Sequence, residues 1–449
     1  MRGAMTASVV TTYAKRATVI LALWLGSSAS TALAQVAAPP PPPAPPPPPP
    51  PPAAAPPPAA APPRAAPLPP SPPPGTPSAV EAAPTPPTAT ESMPATRPEV
   101  LPPIDVGAWV RAGAIFQSAT NPKSLHGWHM DTSYVELHTG GKIHPKVGVT
   151  LNLNASLLPI VDQMTGSLIQ GFVQIEDAII SLDFIDQFHL WAGQLLVPVD
   201  RANSAGPFFQ LPWNYPGVFA VGGNAVIAIP KEGPTGRNTG AVVWGNIADG
   251  QFKYLAGVFD NGTTAVSPLF SGRLNLALIG KEPGFWGNAS YFGDKDVLAI
   301  SVGGQYQKNG SSTPTESKNY TEFNAEILGE FKLGPGAWIT GQGAYYHFGV
   351  ADSADGAAKD SLFILASFAT PVPGMGSIQP MFRYQWANTV QVPGVATTAA
   401  MKLEPGVGWL IKGPALRFIL TYNYTKIPDA AGNSISANSV QLGAQGIFF

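Results

Sequence analysis

From Ile104 onward the chain alternates between apolar and polar positions with a period of two. Val147, Val149, Leu151, Leu153 and Ala155 fall on one side, and Lys146, Gly148, Thr150, Asn152 and Asn154 on the other. Successive side chains of a strand point to opposite faces, so this stretch predicts a strand with one apolar and one polar face. The pattern returns at Phe323, Ala325, Ile327, Phe331 and Leu333, set against Glu322, Asn324, Glu326, Glu330 and Lys332. It returns again at Leu416, Phe418, Leu420, Tyr422 and Tyr424, opposite Arg417, Thr421, Asn423 and Thr425. A soluble sandwich alternates too, but many of these runs reach about 10 to 13 residues, the length of a tilted membrane strand rather than a soluble one. Trp109, Trp191, Trp244, Trp338, Trp386, Tyr306, Tyr345, Tyr346 and Tyr424 fall near predicted strand ends, where a membrane interface favours amphipathic rings.

About 17 such runs lie between Val106 and Phe449, and bacterial single-chain barrels carry even strand numbers. The expected fold is therefore all-β, a transmembrane antiparallel β-barrel of about 16 strands, with 18 as the alternative. The runs expected as strands include Phe172–Leu182, Phe188–Val197, Ile378–Ala387 and Leu416–Thr425. Pro198–Gly217, Gly280–Asp296, Lys308–Lys318 and Val350–Asp360 read as loops, the longer ones expected outside and one of them turning inward.

The chain before this region is of another kind. Lys15 and Arg16 precede an apolar run, Ala17–Leu25, that leads to Ala32-Leu33-Ala34, a small-x-small site for signal peptidase. That run is shorter than the roughly 20 residues that span a bilayer, which favours a cleaved leader over an anchor. Most of the 52 prolines follow in a Pro/Ala-rich stretch, with Pro45–Pro52 unbroken. Proline fixes φ and removes the backbone donor, so this stretch is expected to be disordered and extended as polyproline II, reaching on the order of 200 Å. The expected organisation is a signal peptide over 1–34, a proline-rich periplasmic linker over 35–103 and an outer-membrane barrel over 104–449 of a Gram-negative cell. The linker is either passive or makes a cell-wall contact through Pro39–Pro103.

The closing residues add an assembly expectation. The chain ends on an aromatic carboxyl terminus, with Ile447 two residues before Phe449, similar to the terminal strand signal read by the barrel assembly machinery. Glu176-Asp177-Ala178-Ile179, followed by Gly193-Gln194-Leu195-Leu196-Val197-Pro198, resembles the Asp-Ala strand and Gly-Gln-x-x-x-Pro strand end of the phosphate-selective porin O and P family. Asn438, Leu442, Gln445 and Phe449 resemble its closing strand. The resemblance implies a 16-stranded barrel, a homotrimer, and passage of small anions or other solutes. Leu195 and Leu196 depart from the aromatic and lysine that follow Gly-Gln in many members.

Charge and composition narrow the function. A net charge of −2 gives no electrostatic case for nucleic acid, and the absence of cysteine removes disulfides and thiolate metal sites, so no cofactor is expected. Residues 104–449 carry 20 Lys and Arg against 24 Asp and Glu, which is no signature of a strongly anion-selective lumen. Alternation points Arg111, Lys142, Lys146, Lys253, Arg273, Arg383 and Arg417 inward, together with Glu136, Glu322, Glu326 and Glu330. These residues either form a charged filter or line a wide solvated wall. His126-Gly127-Trp128-His129 lacks a third spaced ligand for a metal, and Glu176 and Asp177 are expected on opposite strand faces, so no catalytic set is assembled. Three classes remain: a passive diffusion channel for small solutes or ions surrounded by outer-membrane lipid, a structural tether, and a barrel lipid enzyme. Intact mass of the exported protein checks the leader: Gln35 is expected as its first residue, and a mature chain that retains the run Ala17–Leu25 would contradict cleavage.

Overall fold

The computed structural model describes residues 103–119, 127–156, 160–161, 168–169, 172–217, 236–260, 267–312, 316–350, 358–389, 399–428 and 434–448. The expected leader, nearly all of the proline-rich stretch, His126 and Phe449 lie outside the described residues. The strands are β1 (Ile104–Ala119), β2 (Gly127–His144), β3 (Val147–Ser156), β4 (Ile160–Val161), β5 (Leu168–Ile169), β6 (Phe172–Ile185) and β7 (Phe188–Leu196). There follow β8 (Arg237–Ile247), β9 (Phe252–Asp260), β10 (Leu269–Ile279), β11 (Val297–Ser312), β12 (Ser317–Gly334) and β13 (Ala337–Gly349). The last are β14 (Ala358–Val372), β15 (Gly376–Thr389), β16 (Ala399–Leu410), β17 (Leu416–Pro428) and β18 (Ser434–Phe448).

Among the described residues, 16 of these strands form one closed antiparallel barrel, and β4 and β5 make a separate small hairpin. Neighbours in the chain pair in sequence, β3 passes to β6, and β18 closes on β1 with Ala108 opposite Phe448 and Gly113 opposite Gly443. Closure leaves the barrel no sheet edge, so each of its 16 strands finds ladder partners within the wall. The strand number agrees with the alternation.

Burial runs opposite to that of a soluble protein. Along β12, Glu322, Asn324, Glu326 and Glu330 are buried, whereas Phe323 is 51% exposed. Along β17 and β18, Arg417, Thr421, Asn423, Gln441 and Gln445 are buried, and Leu416, Leu420, Tyr422, Val440 and Leu442 face out. Polar side chains point into the barrel and apolar ones away from it, the arrangement a bilayer requires of a spanning barrel.

Three local departures from simple alternation matter. Asn152 pairs with Asp177 but Leu153 pairs with Ile175, so Glu176 is an extra residue in β6. This bulge changes the phase of the strand: Val173, Ile175 and Ile180 are exposed, while Glu176 and Asp177 are both buried. The expectation that Glu176 and Asp177 face opposite ways is thus corrected. β16 contains Pro405, which has no backbone donor for the ladder; it is accommodated where pairing to β17 passes from Leu403 directly to Gly406. The expected loop Lys308–Lys318 shrinks, because β11 continues to Ser312 and β12 starts at Ser317.

The aromatic belt is also smaller than expected. Tyr306 and Tyr345 are exposed on the outer face, but Trp244, Trp338 and Tyr346 are buried, and Trp191 stacks on the buried Phe285 at 4.6 Å. These rings pack inside the barrel against segments inserted into it. For the outer face, Leu442→Arg is expected to destabilise the barrel by about 2–4 kcal/mol if the site lies near the bilayer midplane. Reversible refolding into lipid vesicles measures this, and a change within about 0.5 kcal/mol, the range of an ordinary surface substitution, would contradict a lipid-facing wall.

Candidate functional site

The barrel end that holds both Ile104 and Phe448 is closed mostly by short turns, at 145–146, 186–187, 248–251, 335–336, 373–375 and 411–415. The exception is 280–296, which turns into the barrel. From the other end, the chain after β7 also turns inward, over 197–217. Two segments from opposite mouths therefore enter one lumen.

The first segment carries a short helix, α1 (Arg201–Ala205), and a 3-10 turn, Pro207–Phe209. Asp200 caps α1, its carboxylate accepting from the Asn203 backbone N–H at 2.8 Å. A buried loop brings its carbonyl groups with it, and each needs a donor. The wall supplies them. Ser271 donates to the Pro198 carbonyl at 2.7 Å and Asn324 to that of Val199 at 3.2 Å. Across the barrel, Arg417 and Gln445 both donate to the Phe208 carbonyl at 3.0 Å. Arg111 donates to the Trp213 carbonyl at 2.6 Å, and Arg383 to the Asn214 carbonyl at 3.0 Å. The Arg201 backbone N–H donates to Glu326 at 2.7 Å, and Glu326 in turn pairs with Arg273.

Trp213 shows how closely the loop fits. Its indole packs against Gly113 and Gly443, which face each other across β1 and β18. A Cβ at Gly443 would come within 2.1 Å of that ring, so only glycine leaves room. The Arg111 guanidinium covers the ring at 3.8 Å from its centre.

The second segment is held by carboxylate and ammonium groups. Glu330 accepts from Ser290 Oγ at 2.7 Å, Thr340 Oγ1 at 3.0 Å and the backbone N–H of Gly293 at 2.7 Å. Lys253 donates to the Gly284 carbonyl at 2.9 Å. The two segments then meet. Arg201 forms a two-pronged pair with Glu282, at 2.7 and 2.8 Å, and donates to the Asn288 carbonyl at 3.0 Å. The Gly287 backbone N–H donates to Ser204 Oγ at 2.6 Å. Burial alone would raise the Glu282 carboxyl, but the charge and hydrogen bonds of Arg201 and the Tyr291 hydroxyl outweigh it and hold the group well below the usual carboxylate range. The pair therefore stays ionised at neutral pH.

Beside the inserted segments remains a chamber of 730 Å³, bounded by inner-face residues of β1, β2, β3, β6 and β7. Trp109, Glu136, His138, Asn152, Glu176, Asp177 and Trp191 line its wall side, and Pro207, Phe209 and Trp286 its inner side. Arg237 bridges Glu176 at 2.9 Å and Asp177 at 3.2 Å. Glu136 pairs with His138 at 3.1 Å.

The residues expected on the lumen wall thus have unlike fates. Arg111, Arg273, Arg383 and Arg417 are buried and hold or brace the first segment, Lys253 and Glu330 hold the second, and Glu326 seats α1. Glu322 is buried beside Tyr320 and Asn324, accepting from both. Glu136 lies in the chamber. Lys142 is exposed near the β2–β3 turn, 3.5 Å from Asp183, and Lys146 sits in that turn rather than on a strand. Arg201, Glu282, Arg237, Glu404 and the Glu176-Asp177 pair were not among the expected site residues. Arg201 and Glu282 lie in segments without periodicity, and the bulge hides Glu176. Glu404 binds Arg383 at 2.5 Å and Lys402 at 2.7 Å.

Comparison with known proteins concerns the fold. No protein-family model matches the chain, and no curated protein does. Among solved structures, the chain is similar to Salmonella typhi OmpF in complex with daunomycin, with a TM-score of 0.50 at 9% identity over 76% of this chain and 97% of that one. The outer membrane channel DcaP of Acinetobacter baumannii gives 0.46 at 10% identity over 77% and 97%. A loop-deletion mutant of OmpT, an outer membrane protein of Vibrio cholerae, gives 0.47 at 13% over 77% and 99%. The likeness to OmpF agrees with the closed barrel.

Removing one member of a buried ion pair leaves the other without its partner, at a cost of about 3–5 kcal/mol. Arg201→Met and Glu282→Gln are both expected to loosen the inserted segments. With Leu211→Cys as reporter, itself buried within the first segment, maleimide labelling should accelerate at least ~10-fold in either background, the factor that about 1.4 kcal/mol of easier opening gives. An unchanged rate would mean that the pair does not hold the segments.

Proposed function

We propose that the chain forms a diffusion channel of the bacterial outer membrane, narrowed by residues 197–217 and 280–296, for small hydrophilic solutes and ions with a preference for cations. The observation that carries this reading is the reversed burial: a closed barrel with an apolar outer face encloses polar side chains that a passage for water and ions needs. The inserted segments give the constriction.

The charges support the cation preference. The wall arginines that would meet an anion are directed at the inserted backbone: Arg111, Arg383 and Arg417 donate to loop carbonyls, and Arg273 pairs with Glu326. Arg237 is shared by two carboxylates. The chamber accordingly presents an acidic lining, with Glu136, Glu176, Asp177 and Asp105 against Arg237. A phosphate-selective lumen, which the family resemblance implies, would need basic groups directed at the solute. The proposal also keeps the cleaved leader, the periplasmic linker with its candidate wall contact, assembly through a signal ending at Ile447 and Phe449, and the homotrimer.

Planar-bilayer recording across a potassium chloride gradient tests this. Steady conductance is expected, with a reversal potential of the sign given by a cation-selective pore. An inserted protein that remains electrically silent would overturn the channel, and a reversal potential of anion sign would overturn its charge preference.

A further inference from the structure

The chamber is more than a remnant of space beside the inserted segments. Its 730 Å³ lies within the range of about 300–1,000 Å³ typical of small-molecule sites. Three buried carboxylates, Glu136, Glu176 and Asp177, border it against one guanidinium, that of Arg237. The β6 bulge puts two of those carboxylates on the inner face together.

Asn152 adds an unmatched acceptor to this acidic corner. Asn152 lines the chamber and is only 6% exposed. Its Nδ2 donates to Asp177 Oδ2 at 2.8 Å, while its Oδ1 accepts no hydrogen bond. Turning the amide over would set an oxygen against the Asp177 carboxylate, so this orientation is fixed and the acceptor is left unmatched. A buried acceptor without a donor is unfavourable, and a ligand bearing N–H groups relieves it. Around this acidic corner stand Trp109, Trp191 and Trp286, and indole is the aromatic face that best accommodates a cation.

We propose that the chamber binds one small organic monocation, a primary ammonium joined to an apolar or aromatic body, as a solute of this channel. The ammonium supplies donors to Asn152 Oδ1 and Glu136, and the body lies against the indoles. This assignment rests on the channel reading, but it makes a separate statement about binding.

Three probes of one size and different charge separate the contributions: phenethylamine, 2-phenylethanol and phenylacetate. Calorimetric titration of the detergent-solubilised full chain is expected to show phenethylamine binding at least ~10-fold more tightly than either of the others, a difference of about 1.4 kcal/mol. The same amine should interrupt the bilayer current at lower concentration than its two counterparts. Glu136→Gln and Asn152→Leu should each weaken the amine at least about fivefold, whereas Asp249→Asn, exposed at the 248–251 turn, should not. The probe series on the unaltered chain needs no variant to fold. Equal binding of all three, or tighter binding of phenylacetate, would overturn the site while leaving a conducting channel in place. Selective amine binding by a protein that never conducts would support the site and overturn the channel on which it rests.

Discussion

A peptide segment threaded through a barrel takes buried carbonyl groups with it, and in this molecule the need to satisfy them organises the lumen. The first segment touches the wall on opposite sides: near β10 and β12 at Pro198 and Val199, near β17 and β18 at Phe208, and near β1 and β15 at Trp213 and Asn214. Each contact is a donor from a wall side chain to a loop carbonyl. Arginine suits this role because its planar fork serves more than one acceptor. Arg417 reaches both Phe208 and Gln445, and Arg383 both Glu404 and the loop. The result is a basic wall whose positive charge is directed at its own backbone.

That use of charge shapes the remaining space. The segments fill the lumen beside β8 to β18 and reach β1 and β7 at single rings and arginines, and the 730 Å³ chamber left over is bounded mainly by β1, β2, β3, β6 and β7. There the acidic residues outnumber the basic ones. The electrostatic character of the chamber is therefore a consequence of where the loop is fastened as much as of overall composition, since residues 104–449 are only mildly acidic.

The fold was largely legible in the alternation, because a period of two sustained over so many long runs has few other solutions. Ile327 and Glu326 declare their faces by position alone. The site was less legible. Arg417 and Arg111 could be assigned to the inner face, but nothing local distinguishes an arginine that meets solute from one that holds a carbonyl 209 or 102 residues away. Arg201 and Glu282, 81 residues apart, sit in segments with no period to read. At Glu176 the alternation misleads, because one inserted residue reverses the phase. Trp191 and Trp244 pointed to a membrane interface on position near strand ends, yet their rings pack with Phe285 from the second segment.

Segments from opposite mouths of the barrel are locked together inside it, and a cross-link tests this without interference because the chain has no cysteine. A Cβ placed at Gly287 would stand 3.4 Å from Ser204 Cβ, close to the separation of about 3.5–4.5 Å in disulfides. With Ser204→Cys and Gly287→Cys introduced together and the protein folded in the membrane, mild oxidation should join the pair in high yield. Mass spectrometry of a proteolytic digest would show the bridged peptides. Two thiols that stay apart in the correctly folded barrel would contradict the account.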